Sequence, residues 1–381
     1  MTVIARGPAT VVPPTVLVQD EVRDVFAAQP GLSRLAQRIV SASFGASGIE
    51  RRHTVLDELT WDPREADRAP VFFDRASGEL LTPTTKERNE VYAEHASRLY
   101  VEAGRAALDA AAGIAASDVT HVVTVSCTGF YAPGPDFVVA RDLGLRAGVE
   151  RYHLGFMGCY AALPALRLAR QLCEADAAAV VLVISVELCT LHLRTSSDPD
   201  TIVATSLFAD GAAAVVVSAR PLAEGERGLA LDGFATRITP RGEDDMAWRI
   251  GDHGFEIGLS NAVPAIIGEH VTGAVEPLLA AEAPLADALR DGRAGDAVAH
   301  WAIHPGGRSI LDRVEDALAL TPAQLSPARE TLRDYGNMSS ATVLFVLRNI
   351  LDAAPRDGDR VVAMAFGPGL TVESALLTVR G

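Results

Sequence analysis

Three residues far apart in the chain carry side chains suited to acyl chemistry: Cys159, His304 and Asn337. Cys159 stands in "GFMGCYAALPALRLARQL" (155–172), between a glycine-bearing turn and a run with helical apolar spacing. A thiol at the first turn of a helix faces backbone N–H groups without intrahelical partners, and their partial positive charge favours the thiolate. Its pKa is then expected below the free-thiol value of about 8.5, and a neighbouring imidazolium would lower it further. His304, in "AHWAIHPGG", and Asn337, in "YGNMSS", can both donate hydrogen bonds to one oxygen. A thioester enolate or a tetrahedral oxyanion needs such a pair of donors. The set suits acyl transfer to a thiol followed by carbon–carbon bond formation. Each residue alone has a plainer reading. Free cysteine is among the most buried residue types, "HP" is an ordinary loop pair, and "GN" an ordinary turn or cap.

The elements that would position these residues come in two matching sets. "THVVTVSCTG" reads as a strand ahead of the Cys159 helix, as "AHWAIHPGG" does ahead of "GNMSSATVLFVLRNIL". Each helix is followed by another strand, "AVVLVISVE" and "RVVAMAFG". Cys127 precedes Cys159 by 32 residues, and His304 precedes Asn337 by 33. Matches in this order indicate an internal duplication, with halves at 1–222 and 223–381. A pseudo-twofold axis would set the Cys159 and Asn337 helix starts face to face and bring the strand ends at Cys127 and His304 to the same place. Elsewhere, helical runs such as "VPAIIGEHVTGAVEPLLA" alternate with buried-strand runs such as "FADGAAAVVVSAR", which defines an α/β chain. Residues 219–256, rich in Gly, Arg and Asp, read as a joint with an irregular excursion.

Composition narrows the function. The 381 residues are 49% hydrophobic, enough for a large core, and no run approaches the roughly 18 to 20 apolar residues of a membrane span. The N-terminus lacks a signal-peptide pattern, and the four cysteines (127, 159, 173, 189) form no CxxC pair. A reducing, cytoplasmic location without a zinc site is expected. The net charge of −15 argues against a nucleic-acid partner. An anionic small molecule would need a few locally concentrated cations.

"GFMGCYAALPALRLA", "LFADGAAAVVV", "HPGGRSILD", "YGNMSSATVLFVL" and "FGPGLTVESALL" together resemble the successive motifs of type III polyketide synthases, the chalcone synthase-like superfamily. The resemblance runs from about Pro13 to the C-terminus. It implies a thiolase-like fold, a five-layered αβαβα sandwich of duplicated halves, acting as a homodimer. Cys159 would take an acyl group from coenzyme A. His304 would pair with the thiolate and, with Asn337, stabilise the enolate left when malonyl-CoA loses carbon dioxide. The substrates implied are a starter acyl-CoA and malonyl-CoA, with no metal, no separate cofactor and no obligatory acyl carrier protein. Phe208 and Phe255 match two gatekeepers of the cavity, the second less well because its spacing to "VP" differs. Gly367, Pro368 and Gly369 match the loop shaping the cyclisation cavity. Arg51 and Arg52 match the basic segment that meets coenzyme A, and Arg308, following "HPGG", is a further candidate.

Some positions depart from the plant pattern. Cys127 stands where plant members carry threonine, a change associated with bacterial members. Ala132 replaces a methionine that crosses the dimer interface into the partner's cavity, and the smaller side chain would leave room for a longer aliphatic starter. Cys189 and His192 replace small hydroxyl residues of the pocket. A chalcone product is therefore not expected from the resemblance; a pyrone, resorcinol or related aromatic is. Two alternatives share the Cys, His and Asn: a type III ketoacyl-carrier-protein synthase with a single condensation, and a papain-like hydrolase. "HPGG" and "GPGLTVE" weigh against the first, and the duplicated α/β pattern against the second.

Overall fold

The computed structural model describes residues 1–59, 69–280 and 282–381. Its main sheet uses, in chain order, β1 (Ile4–Arg6), β2 (His121–Ser126), β3 (Glu150–Gly155), β4 (Val180–Leu188), β5 (Asp210–Ser218) and β6 (Gly228–Ile238). A separate hairpin, β7 (Met246–Gly251) and β8 (Gly254–Leu259), precedes β9 (His300–Ile303), β10 (Arg360–Gly367) and β11 (Thr371–Arg380). The helices that matter for the site are α1 (Thr85–Ala110), α2 (Ala162–Ala175), α3 (Pro199–Leu207), α4 (Val263–Leu279), α5 (Arg308–Leu318) and α6 (Thr342–Asp352).

The strand order β9-β10-β11-β6-β1-β5-β4-β2-β3 carries the duplication inferred from sequence. β2 runs parallel to β4, which is antiparallel to β5, which is antiparallel to β1. The second half repeats this: β9 is parallel to β10, which is antiparallel to β11, which is antiparallel to β6. β1 and β6 join the halves antiparallel, Ile4 opposite Ala230. Such a palindromic order is what a pseudo-twofold axis between β1 and β6 requires.

Layering follows from which faces the sequence makes apolar. Along β4, Val180, Leu182, Ile184 and Val186 pack with Ala96, Tyr100 and Ala103 of α1, while Val181 and Val183 turn to the other face with Leu163 and Leu166 of α2. Both faces are buried, so the strand reads as a continuous apolar run. α2 packs on β4 and β5 of the first half and on β6 and β11 of the second; α6 packs on β9, β10 and β5. These two helices therefore form the middle layer, with α1 outside the first half and α4 outside the second. The chain is an αβαβα sandwich with a thiolase-like fold. In α6 every residue from Thr342 to Leu347 is buried, the pattern of a helix covered on all sides. Among the described residues, no helix is long and apolar enough to cross a membrane.

One expectation fails. Residues 219–256 are not an irregular excursion: they hold β6, all of β7 and the start of β8. Their polar composition belongs to the turns and to outward positions, whereas Leu229 and Leu231 of β6 reach the core. The β7–β8 hairpin pairs Met246 with Leu259 and Trp248 with Ile257, which sets Met246, Trp248, Ile257 and Leu259 against the cavity described next.

Candidate active site

The parallel strands of both halves end at one cavity. β2 delivers Cys127 and Thr128, β4 delivers Cys189, β9 delivers His304, and β10 delivers Phe366 and Pro368. The turns preceding α2 and α6 add Cys159, Asn337 and Ser339. Phe208, just past the end of α3, completes the wall beside Ile257. Measured over the centres of a water-sized sphere, the cavity has about 40 Å³. At roughly 10–15 Å³ per water, that is room for about three waters.

Cys159 does not begin its helix. Gly158 adopts φ +84°, Cys159 and Tyr160 form a turn, and α2 starts at Ala162. Pro164 is then the third helical residue, where its missing N–H forfeits no intrahelical bond. Nor is the thiol acidic on its own. Burial pushes Cys159 up to about 12; interactions with the Ser339 and Asn337 side chains pull it down, and the charge of Glu187 adds to the rise. The expected depression of the free thiol is thus overturned, because burial outweighs the interactions that lower its pKa.

His304 is the complement. It is buried, both ring nitrogens lack a hydrogen-bond partner among the described residues, and burial pushes its pKa down to about 3. A lone thiolate or a lone imidazolium is costly here. The two side chains line the same cavity, and two opposite charges formed together in a low-dielectric site cost less than either alone. Asn337 is locked beside them: its Oδ1 accepts from the Ser339 N–H at 2.9 Å, which orients the amide, and Nδ2 donates to Gly306 O at 3.3 Å. The second Nδ2 hydrogen remains for a substrate oxygen. Ser339 holds φ +46°, an uncommon value for a residue with a side chain.

A buried carboxylate lies behind the cavity. Glu187 Oε2 accepts from Cys127 N–H at 3.0 Å, Thr128 Oγ1 at 2.9 Å and Ser126 Oγ at 3.2 Å, and Oε1 accepts from Ser340. Burial raises its pKa while these donors pull it down. The Cys127 thiol, 3.5 Å from Glu187 and 3.3 Å from Ser339 Oγ, is driven well above its ordinary value by burial and then by the Glu187 charge. Sequence reasoning missed Glu187, although a glutamate inside "VVLVISVEL" is a legible anomaly. It also missed Trp248 and Ile257, which have no sequence signal.

Other candidates divide. Cys127, Cys189, Phe208 and Pro368 line the cavity. Gly367 adjoins it: a Cβ there would lie 2.5 Å from Tyr160 Cδ1 and 3.5 Å from Cys159 N. Gly369, at φ +124°, is one residue beyond the lining Pro368. Phe255 does not line this cavity. Alternation along β8 points 255, 257 and 259 to one side, but only Ile257 and Leu259 reach it. Phe255 stacks on His192 at 4.3 Å between centroids, and the two line a neighbouring cavity of about 20 Å³. His192 is a tie rather than an open cavity group. Its Nε2–H donates to Thr128 O at 2.8 Å, its Nδ1 accepts from Phe255 N–H at 3.0 Å, and burial lowers its pKa to about 3. Ala132 is exposed and lines neither cavity of its own chain.

The arginines divide too. Arg51 and Arg308 have largely exposed side chains, 58% and 60%, and only long contacts, to Asp334 at 3.4 Å and Asp312 at 3.9 Å. Arg308 opens α5 beside the cavity residues Gly306 and Ile310. Arg52 does not fit a role at the surface: it is fully buried, and its Nη1 donates to Thr205 O at 2.8 Å and Phe208 O at 2.7 Å. The alternation of strand Arg51–Thr54 turns Arg51 outward and Arg52 into the core.

Comparison with known proteins agrees with this architecture. Residues 1–221 match the chalcone and stilbene synthase N-terminal domain, and residues 231–380 the C-terminal domain. The chain is similar to bisdemethoxycurcumin synthase of Oryza sativa subsp. japonica, with 34% identity over 98% of this chain and 91% of that protein. Among solved structures it is similar to a polyketide synthase, PKS-I, of the brown alga Ectocarpus siliculosus, with TM-score 0.88 and 28% identity, covering 99% of this chain and 98% of that one. It is also similar to 1,3,6,8-tetrahydroxynaphthalene synthase of Streptomyces coelicolor A3(2), with TM-score 0.82 and 26% identity over 99% of each chain. A chain whose two halves match both domains of one family, and whose strand ends converge as described, belongs to the chalcone and stilbene synthase family, the type III polyketide synthases.

Proposed function

We propose that the protein loads an acyl starter from coenzyme A onto Cys159, extends it with malonyl-CoA by decarboxylative condensation, and cyclises the product to a pyrone, resorcinol or related aromatic. The observation that carries this reading is the meeting of Cys159, His304 and Asn337 at one cavity in a chain of this family. The Cys159 proton passes to His304, and the thiolate attacks the starter thioester carbonyl with loss of the coenzyme A thiolate. Malonyl-CoA then binds with its thioester oxygen between His304 and the free Nδ2 hydrogen of Asn337. Loss of carbon dioxide leaves an enolate that these donors stabilise. Its carbon attacks the Cys159 thioester, the Cys159 sulfur leaves, and a chain two carbons longer remains on coenzyme A.

Arg308, at the start of α5 beside the cavity, and Arg51, exposed near Asp334, are suited to the coenzyme A phosphates. Substrates carried on coenzyme A need no acyl carrier protein. A homodimer is proposed from the family, with exposed Ala132 and the exposed aromatics Phe130 and Phe156 on the partner-facing surface; the location proposed is cytoplasmic. Trp248 lines one side of the cavity and Ala132 lines none of it, which supports a short starter over the longer aliphatic one that Ala132 suggests.

The test is incubation with malonyl-CoA and a panel of starter acyl-CoAs, with products identified by mass. Release of coenzyme A and carbon dioxide with a starter-dependent product supports the reading. Turnover only with a carrier-protein substrate would overturn it.

A further inference from the structure

Arg52 has a second, more specific place in the fold. The two carbonyls it holds, of Thr205 and Phe208, stand at the C-terminal end of α3, where carbonyls have no intrahelical donor and the helix dipole is negative. The same few residues clasp Asn337. Its N–H donates to Leu207 O at 2.9 Å, and its carbonyl accepts from Ala209 N–H at 2.9 Å, a single parallel bridge between Phe208 and Asn337 outside the named strands. The stem of Arg52 also packs on the residue before Asn337: a Cβ on Gly336 would lie 2.9 Å from Arg52 Cγ and 3.0 Å from Leu207 O. Arg52 thus holds the carbonyls of Thr205 and Phe208 directly, and Leu207 and Ala209, on either side of Phe208, hold the main chain of Asn337.

The arrangement is an expensive one. Arg52 lies over the Phe44 ring, its Nε and Nη2 have no hydrogen-bond partner among the described residues, and the charge that supports it from further off is that of buried Asp210. Burial lowers its pKa to about 10, so it stays charged at neutral pH. A buried cation without a direct carboxylate partner costs stability. What the cation secures is the position of Phe208 and Asn337.

We propose that Arg52 is a positioning residue for condensation: it fixes the Phe208 gate directly and the Asn337 donor through the Leu207–Ala209 segment, while Cys159 is carried by a separate turn. This rests on the polyketide reading above, and the experiment separates the two. Wild type, Arg52→Met and Arg52→Lys are compared for carbon dioxide release from malonyl-CoA and for alkylation of Cys159 by iodoacetamide. In Arg52→Met the decarboxylation kcat is expected to fall by about 10- to 100-fold, the cost of a small donor displacement. KM should stay near wild type, and Cys159 alkylation should fall far less than kcat, because Asn337 is the smaller of the two side-chain interactions that lower the thiol pKa. Arg52→Lys keeps one donor and should recover part of kcat. Undiminished decarboxylation in Arg52→Met overturns the inference, and so does a parallel fall in alkylation, which would mark general collapse. Should Arg52→Met not fold, Arg52→Lys carries the same comparison. A wild type that cannot decarboxylate malonyl-CoA sinks the functional reading itself.

Discussion

Gly158 lies against Pro368 with no room between them: a Cβ on Gly158 would fall 2.5 Å from Pro368 Cδ. With Gly367 closed on Tyr160 in the same way, the turn bearing Cys159 and the loop after β10 interlock through two glycines. This is how the second half of the chain fixes the thiol of the first.

Gly158→Ala should therefore damage both stability and reactivity. Left-handed φ costs an alanine about 1–2 kcal/mol, and overpacking adds about 1–3 kcal/mol. Gly113 provides the control, since it has φ +72° with nothing within 4 Å of a Cβ. Urea unfolding should show Gly113→Ala losing only the backbone part and Gly158→Ala losing clearly more, with slower acylation of Cys159. Equal losses in the two variants would contradict the interlock.

The proton exchange between Cys159 and His304 predicts a pH profile. Burial, against the pull of Ser339 and Asn337 and with the Glu187 charge, holds the thiol near 12. The onset of iodoacetamide alkylation in wild type should lie well below that, because His304 accepts the proton. In His304→Ala the onset should move upward toward 12, with alkylation at neutral pH slower by a factor of at least about 100, the range general-base assistance supplies. Superimposable profiles would show that the imidazole takes no proton from the thiol.

Trp248 separates the two cavities. Its Nε1–H donates to Cys127 O at 2.7 Å, and its ring stands edge-on to Phe255 at 5.9 Å and to His192 at 5.6 Å. Trp248→Gly joins the spaces, so kcat/KM for a bulkier starter relative to a short one should rise by about 10-fold or more. An unchanged starter preference in a folded variant would assign the boundary elsewhere.

His192 predicts acid sensitivity of the fold. Its folded pKa is about 3 against an ordinary 6.5, so between those values the unfolded chain binds a proton that the native chain refuses. Stability is unaffected above about 6.5 and falls as pH drops through the window, by up to about 1.4 kcal/mol per pH unit. Asp210, raised from 3.8 to about 6, acts in the opposite direction between those values, as does the raised Glu187. The His192 share is read as a difference: denaturant titrations from pH 7 to 4 should be less steep in pH for His192→Gln than for wild type. Identical slopes would mean that the imidazole is charged in the native state.

The duplication was legible because it is written twice, as a strand, a glycine-bearing turn and an apolar helix in each half. That was enough to bring Cys127, Cys159, His304 and Asn337 together. What the chain order could not show was depth. Arg51 and Arg52 look alike in sequence, yet strand alternation exposes one and buries the other. Phe255 and Ile257 share a face of β8, and only the docking of the hairpin decides which meets Phe208. The Cys159 thiol is hidden from the sequence for the same reason, since spacing does not encode the burial that raises its pKa against the pull of Ser339 and Asn337.

The central claim is that Cys159 carries the growing chain. Intact-protein and peptide mass spectrometry after brief exposure to a starter acyl-CoA tests it directly. The account predicts one acyl adduct per chain on the Cys159 peptide, none in Cys159→Ala, and residual carbon dioxide release from malonyl-CoA in that variant because His304 and Asn337 remain. An adduct on Cys127 or Cys189 in place of Cys159, or full product formation by Cys159→Ala, would contradict it.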